Sequence, residues 1–92
     1  MPSGSALFDW DEGNIRHLAR HDVTFEEAEE CYRNDPLVVE EQFVGGEDRY
    51  LALSETTSAR RLAFVFTVRF DRIRIITAYT MTAEQQIIYE EG

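Results

Sequence analysis

The sequence predicts an α+β domain: two N-terminal helices, an antiparallel sheet of about four strands in a meander, and a short C-terminal helix. Three observations predict it. Helical apolar spacing and two capping signatures place helices before Pro36 and after Tyr79. Beyond Pro36 the apolar period changes to two, in segments rich in β-branched and aromatic residues. The links between those segments are short, which favours hairpin neighbours over crossovers.

The elements follow in order. Residues 1–6, beginning Met1-Pro2-Ser3-Gly4-Ser5, read as a flexible leader, and residues 7–92 as a single domain. Leu7-Phe8-Asp9-Trp10 reads as a short first strand. Asp11 is an N-cap for a helix to about Arg20, with Ile15, Leu18 and Ala19 as its buried stripe. His21-Asp22 ends it.

Thr24 and Glu27 match a capping box, in which the Thr hydroxyl and the Glu carboxylate each satisfy a free backbone N–H. In that second helix Phe25, Ala28 and Tyr32 share a face, and the acids of residues 26–30 read as a solvated one. Pro36 disfavours helix at Asp35, so this helix stops near Asn34.

Residues 37–43, 49–54, 61–69 and 72–79 are the strands. Gly45-Gly46, residues 55–59 and Phe70-Asp71 are the turns. Alternation sends Ile73 and Ile75 to the core and Arg74 away from it, and strict alternation puts Tyr79 on the opposite parity from Arg72 and Arg74. Thr82 and Gln85 open a last helix through Tyr89 or Glu90.

A chain of 92 residues holds one core, and a domain of this size buries about 60–65% of its unfolded surface. The net charge is −9, and all nine basic residues are Arg. Residues 1–44 carry eleven acids against three Arg, residues 45–79 four against six, and residues 80–92 three against none. Such a charge disfavours non-specific binding to nucleic acid or anionic membrane and favours a basic partner. The middle segment still permits a small anion-binding patch. One cysteine excludes an internal disulfide and fits a reducing compartment. No apolar run approaches the roughly 20 residues of a membrane span, and no signal-peptide core follows the start, so a cytoplasmic protein without membrane attachment is expected.

His17 and His21 stand at i, i+4, a metal-ligand spacing, but no motif supplies a third ligand; no metal or other cofactor is expected. His21 is a proton-transfer candidate, because an unperturbed imidazole titrates near neutrality. Arg69, Arg72 and Arg74 surround the last turn, with Arg49, Arg60 and Arg61 in neighbouring strands. Guanidinium forks match phosphate oxygens and stabilise charge on a pentavalent phosphorane. The plainer reading is a solvated edge whose arginines pair with the abundant acids. Tyr79 and Tyr89 suit base stacking, although aromatic side chains beside a sheet more often belong to a core. Cys31 has no basic neighbour to activate it.

Phe8-Asp9-Trp10-Asp11, then Asn14, His17 and His21 before residues 23–28, resemble the opening of BrnT-like toxins. Residues 49–53, 64–66, Arg69, residues 72–78, Met81-Thr82, Glu84 and Tyr89 continue that pattern in order. The resemblance implies a RelE-like ribonuclease fold and the toxin half of a type II toxin–antitoxin pair. The implied substrate is RNA, cut by attack of a ribose 2′-hydroxyl, and the implied partner is a basic ribbon-helix-helix antitoxin. Oligomeric state is left open. Carried over by position, His21, Arg69, Arg74, Glu84 and Tyr89 are the implied catalytic residues, with Arg49, Arg61 and Arg72 binding RNA. Within that set the arginines take phosphate and transition-state charge, and His21 or Glu84 moves the proton.

Two departures set this chain apart from the pattern. Ala78-Tyr79 stands where such sequences read Ala-Arg, and the last helix has Glu84-Gln85-Gln86-Ile87-Ile88 where basic residues are usual. Fewer cations mean weaker phosphate binding. Two readings therefore stand: a ribonuclease relying on its strand arginines, or a catalytically decayed relative that serves as a protein-binding module for an antitoxin-like partner.

Overall fold

Four strands form one sheet in the order β1-β2-β3-β4, each antiparallel to the next. They are β1 (Leu37–Val44), β2 (Glu47–Glu55), β3 (Arg61–Arg69) and β4 (Arg72–Thr80). Helices α1 (Glu12–Ala19) and α2 (Phe25–Arg33) precede the sheet and α3 (Ala83–Glu91) follows it. The structure is a computed structural model that describes residues 7–92; the leader expected at residues 1–6 lies outside the described residues. The fold class and the meander are as the sequence predicts.

Local chemistry explains each boundary. Asp11 caps α1, its Oδ1 accepting from the Asn14 N–H at 2.7 Å. Both capping boxes form, Thr24 with Glu27 and Thr82 with Gln85. The β1–β2 turn uses Gly45 and Gly46 at φ 60° and 83°, the left-handed backbone that two-residue hairpin loops need. Phe70 and Asp71 adopt the same region at φ 51° and 63° without glycine, a strained choice for a bulky residue. The short strand expected at residues 7–10 shrinks to one parallel bridge, Phe8 to Ile73.

Each face of the sheet carries its own apolar cluster. On one, α1 and α2 cover Ala52, Leu62, Phe64, Phe66, Ile75 and Ala78. On the other, Leu53, Ala63 and Met81 pack with Tyr79 and Tyr89. Ile73 and Ile75 do point to the helix side, as expected.

Three local expectations need correction. The buried positions of α1 are Asn14 and Leu18, whereas Ala19 is exposed. The inward face is rotated because Asn14 reaches β4 and hydrogen-bonds there. In α2 the acid run is not wholly solvated: Glu29 is 4% exposed and its Oε2 accepts from Trp10 Nε1 at 2.7 Å. That bond lets a carboxylate sit among apolar neighbours, with Arg33 3.4 Å from its other oxygen.

The third correction concerns β4. Val65 pairs with Thr77 and Phe66 with Ile75, so Ile76 is an extra, bulged residue. A one-residue slip exchanges the faces of everything after it. Ile75 and Ala78 therefore both meet the helix-side cluster, and Tyr79 lies on the same side of the sheet as Arg74.

Trp10 is the sole tryptophan, so its emission reports the Glu29 bond directly. Glu29→Ala should cost about 1.5–3 kcal/mol in urea unfolding, the usual loss for a hydrogen bond to a charged group, with altered Trp10 fluorescence in the folded state. An unchanged midpoint and spectrum would remove the structural role assigned to Glu29.

Candidate active face of the sheet

The bulge completes a mixed polar and apolar surface on the side of the sheet away from α1 and α2. Cross-strand rows define it: Leu51, Val65 and Thr77 in one, Leu53, Ala63 and Tyr79 in the next, with Gln42 beside Arg49 and Thr67 beside Arg74. A shallow depression of about 130 Å³ lies here. Leu51 and Val65 line it together with Arg49, Tyr79, Glu40 and Gln42.

Contacts from both ends of the chain converge on β4. His17 Nε2 is 3.0 Å from Thr77 Oγ1. The His17 and His21 rings are 5.4 Å apart edge to face, and His21 is 6.4 Å from the Tyr79 ring. From the other side Gln85 Nε2 donates to the Tyr79 hydroxyl at 3.1 Å. Among the described residues no third His, Cys, Asp or Glu joins the histidine pair to form a metal set.

Most of the arginines singled out in the sequence are held by acids. Glu47 takes two of them, Arg49 at 3.1 Å on one oxygen and Arg69 at 3.1 Å on the other. Arg74 lies 2.9 Å from Asp11 and 3.7 Å from Asp9. Arg61 pairs with Glu90 at 2.6 Å and covers the Tyr89 ring at 5.4 Å. Arg72 is exposed and makes no ion pair among the described residues.

The expected site residues are thus spread along the strands instead of meeting at one point. Arg49 and Arg74 share the open face, with exposed His21 at its margin beside Tyr79. Arg69 and Arg72 lie on the same face toward the β3–β4 hairpin end, with Arg69 joined to Arg49 through Glu47. Arg61 and Tyr89 lie together where α3 meets the sheet, and Glu84 is exposed in the first turn of α3. Thr77 and Gln85 escaped the sequence reading as contact residues. The adjacent Ile75-Ile76, breaking an otherwise strict alternation, was the available sign of the bulge.

Titration follows the pairing. The Asn14 N–H and then Arg74 hold the Asp11 carboxyl below its ordinary value, and Arg69 followed by Arg49 does so for Glu47. Burial opposes the shift of Glu27, but the Thr24 N–H and Arg60 still lower it. Burial pushes the Cys31 thiol up to about 12, with Glu30 and Glu27 adding to it, so this thiol is neutral and unreactive.

Comparison with known families agrees with the expected resemblance. Residues 10–85 match the model described as the ribonuclease toxin, BrnT, of type II toxin–antitoxin systems. A search of curated proteins gave no match.

Carboxyls lowered on folding contribute stability above their unfolded values and lose it as pH falls through the folded ones. Unfolding free energy should therefore decline as pH drops below the ordinary values of 3.8 for Asp11 and 4.5 for Glu47 and Glu27. Glu47→Gln should flatten that acid limb in urea titrations at several pH values. An acid limb identical in the variant would show that Glu47 gains nothing from its two arginines.

Proposed function

Because the chain belongs to the family of BrnT ribonuclease toxins of type II toxin–antitoxin systems, we propose that it cuts RNA on the open face of its sheet. The observation that carries this reading is the bulge at Ile76, which sets Arg74, Thr77 and Tyr79 on the same side as Arg49. In the proposed reaction His21 takes the proton of a ribose 2′-hydroxyl. The oxygen attacks the adjacent phosphorus, the bond to the 5′-oxygen breaks, and that oxygen takes a proton from solvent water, while His21 later gives up its own proton to solvent. Arg49 and Arg74 meet the charge of the phosphorane, where charge-assisted donors act most strongly. Tyr79 offers a ring to a neighbouring base, its hydroxyl steadied by Gln85. Arg69 and Arg72 extend the phosphate path toward the hairpin end.

The acids are part of this reading. RNA must displace Glu47 and Asp11 from their arginines, so affinity is modest and depends on salt. The same pairs favour the second reading, a decayed enzyme that binds its antitoxin alone. In either case the proposed partner is a basic ribbon-helix-helix antitoxin, drawn to a chain of charge −9. Ile87 and Ile88, both exposed on α3, offer it apolar contact.

The decisive assay incubates the purified protein with a defined RNA at low salt and reads the ends of the products. Fragments ending in a 2′,3′-cyclic phosphate are expected. Arg49→Ala and Arg74→Ala should each slow cleavage by about 10²-fold or more, the usual cost of removing a transition-state donor. Intact RNA with wild-type protein, together with harmless expression in cells, would leave only the binding module.

A further inference from the structure

The start of α1 grips β4 on both sides of its bulge. Asn14 is 7% exposed, and its Nδ2 donates to the Ile75 carbonyl at 2.7 Å, one residue before the extra Ile76. The Asn14 backbone N–H is held by Asp11 Oδ1, and the other oxygen of Asp11 holds Arg74 at 2.9 Å. One helical turn later His17 meets Thr77, the first residue paired again beyond the bulge. Residues 74, 75 and 77 are thus fastened to one short helix, and Ile76 alone between them is not.

Asn14 is a polar side chain in a buried place, and among the described residues its Oδ1 has no hydrogen-bond partner. The side-chain hydrogen bond that Asn14 makes among the described residues is its donation to the Ile75 carbonyl, so that donation is what this buried amide contributes. Bulges near functional sites re-aim side chains, and this one decides whether Tyr79 faces the depression or the helices.

We propose that Asn14 is a positioning residue: by holding the Ile75 carbonyl it fixes the bulge that sets Tyr79 on the same side of the sheet as Arg74. The inference rests on the open sheet face being the RNA-cutting site, but its structural half stands separately. Asn14 touches no substrate and acts through β4. The amide also ties α1 to the sheet, so His17 and His21 keep their stations over Thr77 and Tyr79.

The test replaces Asn14 by leucine and by aspartate. Asn14→Leu should fold with an unfolding midpoint somewhat below that of the wild type, since the Ile75 carbonyl loses its donor while leucine keeps the side chain's volume. The backbone amide resonances of residues 76–79 should shift, and their hydrogen exchange should quicken by about 10-fold or more as the bulge loses its tie. RNA cleavage should fall by about 10²-fold in kcat with a smaller change in KM, as expected when catalytic groups are slightly misplaced. Asn14→Asp sets a carboxylate against the Ile75 carbonyl near neutral pH. Its resonances at residues 76–79 should return toward the wild type in acid, where the protonated carboxyl can donate, a rescue that a space-filling role would not give. If Asn14→Leu fails to fold, this acid rescue alone decides the matter. Wild-type resonances, exchange and cleavage in a folded Asn14→Leu, or no acid recovery in Asn14→Asp, would overturn the proposal. If the wild type cuts no RNA, the proposed function fails while resonances and exchange still judge Asn14.

Discussion

Ile76, the unpaired extra residue of β4, determines which side chains can meet on the sheet. Before it, odd-numbered residues face the helices; after it, even-numbered ones do. Arg74 and Tyr79, which regular alternation would separate, come to share a surface with Arg49. The surrounding structure supports this exception to the pleat. Leu7 accepts from the Ile73 N–H and the Asp9 N–H donates to the Ile73 carbonyl, α1 follows at once, and its capping residue holds Arg74. A strand edge that would otherwise be open is thereby covered and locked in register.

Charge is the second constraint. A chain with twice as many acids as bases could not keep an exposed arginine row free, and most of the row is engaged. Glu47 in particular bridges Arg49 and Arg69 from two strands. These pairs are partly solvent-exposed, where such bridges contribute little and exchange readily for a stronger anion. A phosphodiester presents the same oxygen geometry as the carboxylate it would replace. The acids orient the guanidinium groups and weaken them as ligands at the same time. Tyr79 and Gln85 make that end of the face neutral and hydrogen-bonded.

Much of the architecture was legible in the sequence because its signals are local. Capping boxes at Thr24 and Thr82, the glycine pair at the first hairpin and the change of period after Pro36 each act over a few residues. What escaped depends on contacts between distant segments. Asn14 is buried only because Ile75 offers a carbonyl 61 residues away, and Glu29 only because Trp10 bonds to it across 19 residues. The composition of the candidate face failed for the same reason. Parity counting placed Tyr79 correctly for a regular strand, and a single bulge reversed the answer. The clustering of Arg49 with Arg74, and the separation of Arg61 and Tyr89 from them, follow from register alone.

Cross-strand nuclear Overhauser contacts in the isotope-labelled protein test this account most directly. It predicts backbone contacts that pair Phe66 with Ile75 and Val65 with Thr77, an Ile76 left out of the ladder, and contacts from the Tyr79 ring to Leu53 and Ala63. A regular ladder pairing Val65 with Ile76, with the Tyr79 ring against Leu18 or Phe64 under the helices, would contradict it.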